Sequence, residues 1–175
     1  EIYTQFDTLS LHVALPICAD RLNELAESAK DLAGEIVPYA ADMSDKIQIE
    51  AMVDEAIKRF GTLDILVNNA GIMDDFSPAG DVDDDMWDKV INVNLNAPFY
   101  SMRAALQHFL TKGSGVIINV SSIGGICGSR AGAAYTVSKH GLVGLTKNTA
   151  SMYANKNIRC NAICPGGVET EIATG

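Results

Sequence analysis

The chain has 175 residues, 47% of them apolar, and a formal net charge of −9, which is the size and composition of one globular domain with a sizeable core. No basic stripe is present to neutralise a phosphate backbone and no apolar run is long enough to cross a bilayer, so neither a nucleic-acid partner nor a membrane helix is expected. Cys18, Cys127, Cys160 and Cys164 form no C-x-x-C pair and there are only three histidines, so no metal site or disulfide framework is assigned, and reduced thiols in a cytoplasmic protein are the expectation.

The first seventeen residues, EIYTQFDTLSLHVALPI, carry no cationic region ahead of an apolar core and do not make a signal peptide. They resemble the in-frame translation of a sequencing adapter: EIYT, a short variable index, then DTLSLH and ALPI, with Val13 as the one departure. Residues 1–17 are therefore expected to be non-native sequence joined to a gene fragment that begins near Cys18, which leaves 18–175 as a partial domain. The alternative is a natural, irregular N-terminal strand. Finding these codons in native context by long-read sequencing of the locus would contradict the adapter reading.

From Ala19 to Ala33 the apolar positions Leu22, Leu25, Ala26, Ala29 and Ala33 share one helical face, closed by Gly34. EIVPYAAD at 35–42 reads as a short strand, with Pro38 favouring an edge or a strand start. Ser44 is the expected cap of a second helix over 45–59, which turns Ile49, Met52, Val53, Ala56 and Ile57 inward and ends at Gly61. LDILVNNAG at 63–71 suits a buried parallel strand. An acidic cluster at 81–85 precedes a helix from about Met86 to Leu110, with a kink expected at Pro98. GVIINVSS at 115–122 is another strand, Gly124, Gly125 and Gly128 make a loop, and a helix from Tyr135 to about Asn155 leads to a strand and loop at 158–167. Strands alternating with helices in this order predict an α/β fold: a doubly wound parallel sheet, Rossmann-like and three-layered, with right-handed crossovers.

In such sheets ligands bind beyond the carboxyl ends of the strands. Asp42, Asn68-Asn69-Ala70-Gly71, Ser121-Ser122 and Pro165-Gly166 each fall at the end of a predicted strand and would converge on one crevice. Tyr135 and Lys139 are four residues apart, so on a helix they project from one face, one turn apart. An ammonium in that position would stabilise a phenolate and lower the tyrosine's pKa from its usual value near ~10, which suits general acid–base work.

With these motifs the chain resembles the short-chain dehydrogenase/reductase family from Cys18 to Gly175. NNAG at 68–71, INVNL at 91–95, Ser122 thirteen residues before Tyr135, YTVSK at 135–139 and PGGVET at 165–170 occur in the family's order. The resemblance implies an NAD(P)-dependent oxidoreductase that interconverts an alcohol and a carbonyl of a small-molecule substrate. It implies Tyr135 as the general acid/base. Lys139 would support Tyr135 and hold the nicotinamide ribose, Ser122 would donate to the substrate oxygen, and Asn94 would anchor a relay water in a helix it distorts. Asp42 and Met43 would meet the adenine, Asn69, Ala70 and Gly71 the adenosine ribose, and Pro165, Gly166, Val168 and Thr170 the nicotinamide end. Ser121 is the rival to Ser122, and since neighbours on a strand face opposite ways, the thirteen-residue interval favours Ser122. His140 and Cys127 read as an exposed helix residue and a loop spacer.

The family's opening strand and glycine-rich pyrophosphate turn have no counterpart before Cys18, and the chain stops after the nicotinamide-end loop, short of the family's lid and last strand. The expectation is a fold truncated at both ends and a weak or inactive enzyme. ADRLNEL leans the cofactor choice toward NADP, and the parent is expected to be a homotetramer or homodimer. Two rivals stand beside this reading: a non-catalytic nucleotide-binding or interaction module, and an extended-type nucleotide-sugar epimerase or dehydratase.

Overall fold

The computed structural model describes residues 11–13, 19–28, 30–31 and 34–167. In chain order they form β1 (Leu11–Val13), α1 (Ala19–Ser28), β2 (Ile36–Pro38), α2 (Lys46–Phe60), β3 (Ile65–Asn68), α3 (Asp84–Ile91), a π-turn (Asn92–Asn96), α4 (Ala97–Lys112), β4 (Gly115–Val120), a 3₁₀ turn (Ile123–Gly125), α5 (Ala133–Tyr153) and β5 (Ile158–Ile163). Every strand pairing is parallel, as the alternation of helices and strands requires. None of the described helices is long and apolar enough to cross a membrane.

The parallel sheet is in two pieces, β1–β2 and β3–β4–β5. In the larger piece Leu66, Ile117 and Cys160 lie side by side across the three strands. They are buried against Val53 of α2 and against Met102, Ala105 and Phe109 of α4, with Leu145 and Ala150 of α5 packed at the edge. Gly115 permits the closest part of this packing, since a Cβ there would lie 2.2 Å from the Phe109 ring. α2, α4 and α5 supply the helical layer on this face. On the other face Ile65, Val67 and Ile163 remain exposed among the described residues. β3 and β5 thus alternate buried and exposed positions instead of reading as continuously buried.

Between β2 and β3, which do not pair, lies an apolar groove of about 280 Å³ lined by Val37, Val53, Ala56, Leu66, Asn69 and Ala70 among others. β1 falls inside the segment expected to be foreign. A three-residue parallel pairing uses backbone groups alone and does not discriminate native from foreign sequence.

One local expectation is corrected. α2 is capped by Asp45, whose carboxylate accepts from Ile47 N at 2.8 Å and Gln48 N at 3.4 Å, while Ser44 donates its N–H and hydroxyl to Asp42. The helix expected over 86–110 carries a π-turn at Asn92–Asn96, where the resemblance implies a distortion at Asn94, and Pro98 follows that turn directly in the first turn of α4.

Candidate active site

The carboxyl ends of β3, β4 and β5 and the start of α5 meet at one end of the larger sheet. The pairing of β4 and β5 extends past both strands, with Ser121 N donating to Ile163 O and Ile123 N to Pro165 O, both at 2.8 Å. This brings Pro165 beside the Ser122 turn. Beneath them a buried polar chain ties the layers together. Ser101 Oγ donates to Asn68 Oδ1 at 2.6 Å, Asn68 Nδ2 to Asn119 Oδ1 at 2.8 Å, and Asn119 Nδ2 to Thr146 Oγ1 at 2.8 Å. Fully satisfied networks of this kind fix one arrangement of the elements they join.

Tyr135 and Lys139 lie on the buried side of α5, at 6% and 3% exposure. The Tyr135 ring packs with Val90 and Ala134. Lys139 Nζ stands 5.5 Å from the centroid of that ring and donates to Val120 O at 3.1 Å. Burial lowers the lysine pKa from 10.5 to about 8, against a smaller opposing effect of Cys164. Gly71 lies against the ammonium: a Cβ there would be 3.2 Å from Lys139 Nζ and 3.3 Å from Asn94 Oδ1.

Asn94 is fully buried in the π-turn. Its Oδ1 accepts from Ile72 N at 2.8 Å, and its Nδ2 donates to Ile72 O at 2.9 Å and Ser138 Oγ at 3.2 Å. Ser138 Oγ donates in turn to Tyr135 O at 2.8 Å. Asn94 therefore pins the segment after β3 to α5. With both Nδ2 protons committed, a water held by Asn94 would have to donate to one of its oxygens.

Of the paired serines, Ser121 is buried and donates its hydroxyl to Lys139 O at 3.0 Å. Ser122 is partly exposed and its Oγ accepts from Gly124 N at 3.0 Å. Gly124 touches both sides of the site, since a Cβ on it would lie 3.4 Å from Tyr135 Cε1 and 3.5 Å from Ser122 Oγ. Ser122, Tyr135, Lys139 and Asn94 are thus brought together around Gly71 and Gly124.

The remaining expected binding residues are more spread out. Asn69 is exposed directly after β3, Asp42 is exposed four residues past β2, which ends at Pro38 and not at the expected 42, and Ala70 and Gly71 are partly exposed. The Asp42 carboxylate is held below the usual range by the Ser44 hydroxyl and N–H. The Met43 side chain is buried with Ile49, Val93 and Ala97. Val168 and Thr170 lie outside the described residues. His140 is exposed and Cys127 partly so.

The family model for short chain dehydrogenase matches residues 4–175. The chain belongs to the short-chain dehydrogenase family. Within this family it is 44% identical over 164 residues to 3beta-hydroxysteroid dehydrogenase 2 of Eggerthella lenta, covering 93% of this chain and 63% of that protein. It is 38% identical over 158 residues to 3-oxoacyl-(acyl-carrier-protein) reductase of Thermotoga maritima, covering 90% of this chain and 64% of that protein. The crystal structure of an NAD+-bound xylitol dehydrogenase superposes with a TM-score of 0.82 at 31% identity, covering 89% of this chain and 60% of that one. The chain thus spans less than two thirds of the length of these relatives.

Two participants were not anticipated from the sequence. Ser138 links Asn94 to the Tyr135 turn, and Asp74 is buried with its carboxylate against the start of α5. The signal for Asp74 was an absence: Gly132 opens α5 and offers no capping side chain.

Proposed function

We propose that the protein is an NAD(P)-dependent oxidoreductase that interconverts an alcohol and a carbonyl of a small molecule, with Tyr135 as the general acid/base. The observation that carries this reading is the buried Lys139 ammonium 5.5 Å from the Tyr135 ring centroid, in a setting that also holds Ser122 and Asn94. Positive charge in a low-dielectric site favours the negative charge that develops on the phenol oxygen as its proton leaves. Ser122 donates to the substrate oxygen, and Lys139 and Asn94 hold the route by which the proton is replaced.

Bound NAD(P) supplies or accepts the hydride. Asp42, Met43, Asn69, Ala70 and Gly71 suit its adenosine half, Lys139 its nicotinamide ribose, and Pro165, Gly166, Val168 and Thr170 its nicotinamide end. The close approach of Gly71 to Lys139 Nζ, where a Cβ would stand 3.2 Å from the ammonium, supports a main-chain surface shaped for a ligand. NADP is favoured over NAD by the ADRLNEL stretch alone. A cytoplasmic homotetramer or homodimer completes the proposal for the parent protein.

The 175-residue chain as written is proposed to be weak or inactive. The support is the open groove between β2 and β3, beside Asn69 and Ala70, where the adenosine half is assigned. Supplying NADH and NADPH with a panel of carbonyls to a chain lengthened to the span of its relatives, and comparing Tyr135→Phe with the unsubstituted protein, tests the assignment. Turnover unaffected by the substitution would overturn it.

A further inference from the structure

α5 has no cap of its own. Gly132 occupies the N-cap position and brings no side chain, so the first N–H groups of the helix that carries Tyr135 need acceptors from elsewhere. The loop after β3 supplies them. Asp74 Oδ1 accepts from Gly132 N at 3.0 Å, Ser77 O from Ala133 N at 2.9 Å, and Asp74 Oδ2 from Tyr135 N at 2.9 Å. Asp74 Oδ1 also accepts from Phe76 N at 3.2 Å, and Phe76 stands at a φ of +65°, a left-handed conformation that a bulky residue adopts only under constraint. Asp74 is 6% exposed, and the contact dictates what faces it. A Cβ on Gly132 would lie 2.5 Å from Asp74 Oδ2 and 2.8 Å from its Cγ.

We infer that Asp74 is a positioning residue for Tyr135. Its two carboxylate oxygens take two N–H groups of the same turn and so fix both the height and the rotation of the helix start, where a single acceptor would fix one. An anion also suits the positive end of the helix dipole, and bonds to a charged acceptor are the stronger kind. Asparagine cannot replace it, because its amide nitrogen would face the Tyr135 N–H donor to donor. The inference rests on Tyr135 being the acid/base, where a displacement of about 1 Å is enough to cost on the order of 10²-fold in rate.

The test compares Asp74→Ala and Asp74→Asn with the unsubstituted chain and with Ile158→Val, a core substitution at the far end of β5 chosen as a stability control. Amide hydrogen exchange read by NMR is expected to quicken at least about tenfold at Gly132 and Tyr135 in the Asp74 variants, with Leu142 unchanged. The Overhauser contact between the Tyr135 ring and Gly124 is expected to weaken in both Asp74 variants and to persist in Ile158→Val. Where the unsubstituted chain turns over a carbonyl, kcat is expected to fall about 10- to 100-fold with KM held. Unchanged exchange at Gly132 and Tyr135, or an equal loss of the ring contact in the control, would overturn the inference. Absence of turnover in the unsubstituted chain is the outcome proposed for it, and the exchange and ring-contact readouts then decide on Asp74, while the functional reading is tested separately in a lengthened chain.

Discussion

Lys139 is the residue on which the site's electrostatics turn. Burial holds its pKa near 8 in the fold against 10.5 for the free side chain, so below pH 8 the folded protein carries a buried charge that the unfolded chain hydrates freely. As pH rises from 8 through 10.5 the folded state sheds its proton first, the unfolded state binds more protons, and stability rises. At 1.36 kcal/mol per pKa unit the gain is on the order of 3 kcal/mol. Cys160 acts in the opposite sense. Burial raises its thiol from 9.0 to about 11, so stability falls as pH rises from 9 to 11. Urea unfolding of Lys139→Met beside the unsubstituted chain cancels the Cys160 effect. The stability advantage of the variant is expected to shrink by on the order of 3 kcal/mol between pH 8 and 10.5, and a difference that stays flat would contradict the lysine's assignment as a buried cation. The spacing of Tyr135 and Lys139 was legible in the sequence because helix geometry alone puts them on one face. The burial that shifts the lysine was not, since it depends on β4 supplying Val120 O and on Gly71 closing over the ammonium.

At the scale of elements, the break between α3 and α4 shapes the site. Asn94 bonds to both main-chain groups of Ile72 and to Ser138, which locks the segment after β3 to α5 at the cost of a local widening of the helix. Asn94→Ala would leave two partly buried Ile72 groups without their partners and is expected to destabilise the chain by about 1–3 kcal/mol, measured by chemical denaturation. A loss below ~0.5 kcal/mol, the range of an ordinary surface substitution, would show that the π-turn does not depend on these bonds. Periodicity located the helices to within a few residues, because Val90, Val93, Met102, Ala105 and Phe109 all face the interior. It could not reveal the π-turn, since one extra residue in a turn shifts a helical pattern by less than the width of its apolar face. Proline drew the expected kink to position 98, while the departure from regular helix is the π-turn directly before it. The cap of α2 was misassigned by one residue for a related reason: Ser44 and Asp45 are both good caps, and Ser44 is committed to Asp42.

At the scale of the molecule, the order of strands and helices was legible, and with it the end of the sheet at which the polar residues gather. Strand pairing was not, because apolar runs such as 36–38 and 65–68 carry no mark of which neighbour they seek. The outcome is a sheet in two pieces with an apolar groove between them and an exposed apolar face on β3 and β5. The groove lies where the adenosine half of the cofactor is assigned, so calorimetric titration of this chain with NADH or NADPH is expected to show no binding at micromolar Kd. Micromolar binding would contradict the proposal that the chain as written is weak or inactive. The central claim is the role of Tyr135. It is tested most directly in a chain lengthened to the span of its relatives, by carbonyl reduction with NADH and NADPH in the presence and absence of Tyr135→Phe. The expected result is a loss of turnover of at least about 10²–10⁴-fold with cofactor binding retained, and equal turnover by the two proteins would contradict it.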